Sequence, residues 1–384
     1  MDFSETLEQR LLRDNCRTFF MRRYPAAEAR RVQLANDALP SGLWDEVAAL
    51  GWLGCALPEA VGGGDCTLVE AVIVAEEMGR ALLPGAFIDT VVGAKLLLEA
   101  AAPLDRTSLI ADLAAGAATI AMAIEEGQWP LAAEDIATSI GLRAIRTGEG
   151  FVLDGSKSPV LHADKADWLL LAARTASADA GAATVSGEIS LFLVAGDTPG
   201  IRHEALPSDS GEKAFAVTFP GITIPADALI GELHQGWPLL ARAAQRGAIL
   251  SAAMLLGACE RVLEITLEHA RNRKQFGKPI GSLQAIQHRC ADMAIDIAVA
   301  RDLTYKAAWS DARTPDDRFD ASAAKCWSSD AAERVLNSAV RIHGAMGLTD
   351  ECDVSLYFRH CLALRRSWGG ADLHADALAA AVIR

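Results

Sequence analysis

Hydrophobic residues recur along this chain in three zones. In the first, Leu7, Leu11, Leu12 and Phe19 return near helical spacing, followed by Leu43, Trp44, Val47 and Leu50, and then by a run from Leu68 to Met78. Pro58 and the three glycines at 62–64 must break a helix between the last two groups. In the second zone the apolar runs are short and strand-like. Phe151–Gly155 follows a Gly148-Glu149-Gly150 turn, and Ile189–Val194, Phe215–Phe219 and Ile222–Pro225 come after it, parted by Gly, Pro and Asp. The third zone returns to helix. Pro238 suits a first helical turn, and from Leu239 to Arg273 only Gly247 and Gly257 weaken the pattern. Leu240, Ala244, Ala248, Ser251, Leu255, Ala258 and Val262 share one side, while Leu250, Met254 and Ile265 cover others. A helix apolar on several sides belongs inside a bundle, and its small residues let neighbours come close.

Helices, then strands, then helices predict a mainly helical α+β protein with separate layers rather than a doubly wound sheet. The expected domains are a helical one over residues 1–117, a β-barrel or sandwich over 118–232 and a helical one over 233–384. A G-x-G-x-x-G after a strand is absent, so the dinucleotide-binding fold is not supported.

Composition narrows the class. The chain has 384 residues, 51% hydrophobic and 22% charged, which excludes intrinsic disorder, collagen-like repeats and a small disulfide scaffold. Lys+Arg 36 against Asp+Glu 50 gives a net charge of −14, which argues against nucleic acid and anionic membranes as partners but leaves room for a local phosphate site. The longest apolar stretch, Ala248–Cys259, falls short of the roughly 20 residues a membrane span needs. The charged, amphipathic start does not read as a signal peptide. Eight scattered cysteines without a C-x-x-C pair predict reduced thiols, a cytoplasmic setting and no structural zinc. Asp372-x-His374 lacks a third ligand at suitable spacing, so no metal site is expected. Ser186, Ser208 and Ser210 lack a nucleophile elbow. The carboxylate pairs Glu125-Glu126 and Asp316-Asp317 are read as solvated.

Four segments carry a family resemblance. They are Leu43-Trp44-Asp45-Glu46 through Leu50-Gly51-Trp52-Leu53-Gly54, Pro58-Glu59, Gly62-Gly63 and Ala75-Glu76-Glu77-Met78-Gly79-Arg80; Gly150–Lys157 with Ala166-Asp167; Arg273-Lys274-Gln275-Phe276-Gly277-Lys278-Pro279-Ile280 with Leu283-Gln284; and Ile342-His343-Gly344-Ala345-Met346-Gly347-Leu348-Thr349. In this order they resemble the acyl-CoA dehydrogenases over essentially the whole chain. The resemblance implies a helical N-terminal domain, a middle β-domain and a C-terminal four-helix bundle. It also implies FAD as cofactor, a role in lipid metabolism, an electron-accepting flavoprotein, and oxidation of acyl-CoA thioesters to 2-enoyl-CoA. In that reaction a carboxylate takes the α-proton while the β-hydride goes to the flavin. The chemistry needs a base beside a polarised thioester carbonyl in a dry pocket.

Site residues follow from the resemblance. Arg273 is similar to the family arginine that meets the pyrophosphate or adenosine end of the FAD on a neighbouring subunit, and a guanidinium fork suits a diphosphate. Phe276 would pack near the adenine. Arg341, His343, Gly344 and Gly347 resemble the glycine-rich turn that contacts the partner's FAD, with Arg341 where Gln is usual and Ala345 where Gly is usual. The plainer alternatives are a solvated Arg273, a core Phe276 and a buried, hydrogen-bonded His343.

Three departures stand against these matches. Ile124-Glu125-Glu126-Gly127-Gln128-Trp129-Pro130 replaces a Glu-Pro-containing, Gly-Ser-rich flavin loop. Ser158-Pro159-Val160-Leu161 replaces a segment containing Trp-Ile-Thr that packs on the isoalloxazine. The two positions of the family's catalytic glutamate are Gly247 and Gly369, and glycine accepts no proton. Asp372 and Glu351, the nearest carboxylates in sequence, read either as a substitute base or as a cap and a surface charge.

The first reading is therefore a subunit of a heteromeric (heterotetrameric) acyl-CoA dehydrogenase that completes the FAD site of a catalytic, homologous partner, as in bacterial steroid side-chain and alicyclic acid degradation. The alternatives are a homodimeric or homotetrameric flavoenzyme without the base that expels a leaving group, as desulfinases do, and a flavin-free structural or CoA-thioester-binding protein.

Overall fold

Two threonines set the first boundaries. Thr6 caps α1 (Leu7–Arg23) and Thr67 caps α4 (Leu68–Ala81), each with a Gln or Glu three residues on that returns a hydrogen bond to the cap. The structure is a computed structural model and describes residues 5–35, 39–100, 106–127, 140–177, 189–208, 210–311, 313 and 319–383. The sequence readings at Gln128–Pro130, Ser186 and Asp316–Asp317 lie outside the described residues. Between and after the two capped helices run α2 (Ala26–Ala35), α3 (Leu43–Ala49), α5 (Phe87–Glu99) and α6 (Thr107–Ala114).

The apolar run from Leu68 to Met78 is buried almost throughout. The stripe in α1 holds in part: Leu12 and Phe19 pack against the core beside the buried Cys16 and Phe20, whereas Leu7 and Leu11 are exposed. Part of the Glu76-Glu77-Met78-Gly79 segment is explained by packing. Glu76 and Glu77 are buried, and Arg13 pairs with both at 2.9 and 3.1 Å while Arg17 reaches Glu77 at 2.6 Å. Burial opposes ionisation of Glu76, but Arg301 and Arg13 outweigh it and hold its carboxyl below the usual range.

The middle layer is a mixed sheet of β1 (Ile120–Ala123), β2 (Arg143–Arg146), β3 (Gly150–Leu161), β4 (Trp168–Ser177), β5 (Ile189–Ala195), β6 (Arg202–Leu206), β7 (Ala214–Pro225) and β8 (Leu229–Ile230). The order is β6-β7-β3-β2-β4-β5-β8, with β1 parallel to β4 beside this path. The runs in β4 and β5 are apolar on both faces because both faces are covered. Leu169, Leu171, Phe192 and Val194 fill a core inside the sheet with Phe151 and Phe219, whereas Leu170, Ala172, Leu191 and Leu193 belong to the helical core.

The C-terminal layer holds α7 (Gly236–Asn272), α8 (Gln284–Asp311), α9 (Phe319–His343), α10 (Asp353–Leu364) and α11 (Ala371–Ile383). The stripe from Leu240 to Val262 is buried, as its pattern required. Gly257 and Gly79 let α7 and α4 touch backbone to backbone. A β-carbon at Gly257 would overlap the carbonyl of Glu76, and one at Gly79 that of Met254. All eight cysteines are free. Among the described residues no helix is long and apolar enough to cross a membrane, and no group of His, Cys, Asp or Glu could hold a metal ion.

Candidate functional site

The residues singled out by sequence fall into two regions. The first is an open end of the C-terminal bundle. There α7 stops at Asn272 and Arg273 N–H closes the last turn on His269 O at 2.8 Å. A short hairpin follows, β9 (Lys274–Gln275) and β10 (Lys278–Pro279), with Phe276 and Gly277 between them. Both loop residues have positive φ, +52° and +78°, as the tightest hairpin turns require. The turn throws Phe276 outward, leaving it 88% exposed, so it is not a core residue.

Arg341, His343, Gly344 and Gly347 lie where α9 ends. His343 is half-buried and donates from Nδ1 to Ala339 O at 2.9 Å, and its ring stacks on His269 with centroids 4.2 Å apart. Burial, then His343 and Arg273, lower the pKa of His269. His269 thus joins the two sequence segments, one at each of its neighbours. Nothing in sequence pointed to it except its place one turn before Arg273. Gly347 is buried, Arg341 and Gly344 are exposed, and Met346 and Leu348 add exposed apolar surface.

The second region is closed. Gly247, inside α7, and Gly369, after α10, are drawn together by the residue between them in space. The indole of Trp368 lies so flat on Gly247 that a β-carbon there would overlap its ring. Trp368 is 4% exposed and has φ +59°, a backbone region that bulky residues rarely enter. The loop that carries it is tied down on the inside. Lys325 Nζ, fully buried, donates to Leu364 O at 2.6 Å and to Ser251 Oγ at 3.1 Å. Ser251 lies one turn beyond Gly247 and also donates to Leu364 O at 3.1 Å. His374 Nε2 donates to Trp368 O at 3.0 Å, so its Nδ1 accepts from Ser322 Oγ at 3.1 Å. Both nitrogens of His374 are used within the protein. Burial pushes His374 down to about 4 and, with Arg365 adding, Lys325 down to about 7.

Carboxylates near Gly247 are committed elsewhere. Arg246 pairs with Glu99 at 2.6 Å and Asp311 at 2.9 Å. Burial raises Glu99, but the Arg246 and Arg242 contacts win and hold it low, which suits an ion-pair partner rather than a base. Asp372 and Glu351, the two substitutes considered from sequence, are exposed, and the Thr349 hydroxyl with the backbone lowers Glu351. Clefts of about 650 Å³ between α1, α7 and α8 and about 860 Å³ over α1 are lined by other residues.

In the β-layer, Ile124–Gly127 runs beside Ser158. Ser158 N–H donates to Glu125 O at 2.8 Å, and Gly127 N–H donates to Ser158 O at 2.9 Å. The expected solvation of Glu126 is overturned. Its carboxylate takes the buried Lys157 amine at 2.5 Å and the amides of Gly141 and Leu142 at 2.6 and 3.0 Å. Burial pushes Lys157 down to about 8 against the pull of Glu126. Pro159 is exposed, and Val160 is buried in the sheet core.

The N-terminal domain model of the acyl-CoA dehydrogenases matches residues 6–117 and the C-terminal domain model residues 234–383. The chain belongs to the acyl-CoA dehydrogenase family, which is FAD-dependent. It is 31% identical to benzylmalonyl-CoA dehydrogenase of Aromatoleum aromaticum, covering 94% of this chain and 93% of that one. Among solved structures, it is similar to the ChsE4-ChsE5 complex from Mycobacterium tuberculosis, with TM-score 0.87, 27% identity and 100% and 99% of the chains covered. It is also similar to a variant of the Tcur3481-Tcur3483 steroid ACAD, with TM-score 0.84, 27% identity and 98% of each chain covered.

Proposed function

We propose that this chain is the base-free subunit of a heteromeric, FAD-dependent acyl-CoA dehydrogenase that oxidises acyl-CoA thioesters to 2-enoyl-CoA. The observation that carries the reading is the contrast at Gly247: the place for a proton acceptor holds an indole, while the bundle end stands open with Arg273, His269 and His343 side by side. Likeness to two structures named as assemblies of paired chains supports it.

The residues present fit one part of FAD and not the other. The Arg273 fork and the exposed turn at Gly344 suit a diphosphate arriving from a neighbouring chain, and Phe276 offers an aromatic face. Among the described residues, the β-layer gives no seat for an isoalloxazine at this segment: Pro159 supplies neither aromatic face nor hydroxyl, and Val160 faces the sheet core. FAD, when bound, supplies the acceptor for the β-hydride. This chain's part is to hold and orient the dinucleotide tail; the carboxylate that takes the α-proton comes from the partner. Electrons then pass to an acceptor flavoprotein. Bulky steroid side-chain or alicyclic acyl groups are the proposed substrate class, in keeping with the name of one structural relative.

The visible spectrum near the flavin band tests this. The chain purified alone should be colourless. Co-expressed with a homologous chain that has the glutamate, it should give a yellow complex with one FAD for each pair of chains, active on acyl-CoA. One FAD for each chain in the protein purified alone would overturn the reading.

A further inference from the structure

We propose that Trp368 shuts this chain's own acyl site: its indole fills the space over Gly247, so that a thioester can be taken only by the partner chain. The inference rests on the reading of the chain as the base-free subunit, and it adds the residue that enforces the division of labour.

The argument is geometric. In this fold Gly247 and Gly369 mark the two approaches to one point, one from α7 and one from the loop after α10. A pocket there would need free volume over Gly247. The indole occupies that volume, and a β-carbon at 247 would overlap its five- and six-membered rings alike. The loop that carries the ring is fixed from three sides. The Trp368 carbonyl accepts from His374, the end of α10 accepts from Lys325 and Ser251, and Ser367 Oγ lies 3.3 Å from Ser251 Oγ. These partners sit on α7, α9 and α11, so the loop cannot lift the indole away from Gly247 without breaking contacts with three helices. A loop held this way is a fixture of the fold, and its buried indole takes up the volume that a group bound over Gly247 would need.

The test is a sign. Gly247 lies inside a helix, where alanine is ordinarily the more stable residue. With Trp368 present, Gly247→Ala should instead lower Tm by about 1–3 °C, because overpacking outweighs propensity. In a Trp368→Ala background the same change should raise Tm. Trp368→Ala should also take up one indole per chain, gaining about 2 °C or more at ten times Kd, while the parent chain takes up none. If Trp368→Ala does not fold, Trp368→Leu carries the same pair of measurements. A rise in Tm for Gly247→Ala in the parent chain, or a folded Trp368→Ala that binds no indole and keeps the parent's sign, overturns the plug. The subunit reading is tested separately by the flavin content of the unmodified chain, so either can fail while the other stands.

Discussion

The open end of the bundle and the closed point at Gly247 lie on the same two helices, α7 and α9, and differ in almost every physical respect. At the end of α7 the chain leaves an aromatic ring 88% exposed on a strained turn and sets an arginine beside stacked histidines. Further back along α7, an aromatic ring lies inward against a glycine, on a loop held by a buried lysine and histidine. The first arrangement adds little to stability and leaves apolar and cationic surface for something to cover; the second contributes stability through burial. On the proposed reading, the difference teaches that family membership and possession of a reaction centre are separable: a chain can keep what it lends to a neighbour after losing what it would use itself.

Four measurements break or sharpen this contrast. The largest effect belongs to the closed side. Trp368→Ala should destabilise the chain by about 3–5 kcal/mol in chemical denaturation, as loss of a buried large aromatic does; a loss below about 1 kcal/mol would mean the indole is not packed as described. Next comes Arg273→Ala in the complex with a catalytic partner. It should weaken FAD retention by roughly 10- to 100-fold, the worth of a charge-assisted hydrogen bond pair, while the unfolding midpoint of the chain alone stays put. Equal FAD affinity would remove Arg273 from the clamp.

The third concerns pH. Lys325 is held near 7 in the folded chain, against 10.5 for an ordinary lysine, so between those values the unfolded state binds more protons. Stability therefore rises with pH across that window, at up to about 1.4 kcal/mol per pH unit from this group, and the burial penalty is felt in full below pH 7. Lys325→Met should flatten that slope in denaturation curves taken from pH 7 to 10; an unchanged slope would show that the amine is not the group responsible. The smallest effect is on the open side. Phe276→Ala should change stability by less than about 0.5 kcal/mol, since the ring touches little of its own chain. A larger loss would place Phe276 back in the core.

Much of the fold could be read along the chain. The long α7 helix, its buried stripe from Leu240 to Val262 and the apolar β5 run all stand where their patterns put them, because helix and strand periods are local properties. Orientation was less legible. The α1 stripe left open which of its leucines face inward, and Leu7 and Leu11 lie outside because Arg13 and Arg17, on the inner side, are claimed by Glu76 and Glu77. Glu126 read as a solvated charge because its partner, Lys157, lies on β3, 31 residues further along the chain.

Sequence by itself determined the layer order, the family segment from Arg273 to Ile280 and the fact that glycine stands at 247 and 369, since each depends on residue type and near neighbours alone. Only the tertiary structure decided that Trp368 covers Gly247, that His269 stacks on His343 and that Lys325 and His374 spend their polar atoms holding one loop. Those contacts join residues far apart in the chain, and such contacts are chosen by how whole helices fill space together, not by any local preference.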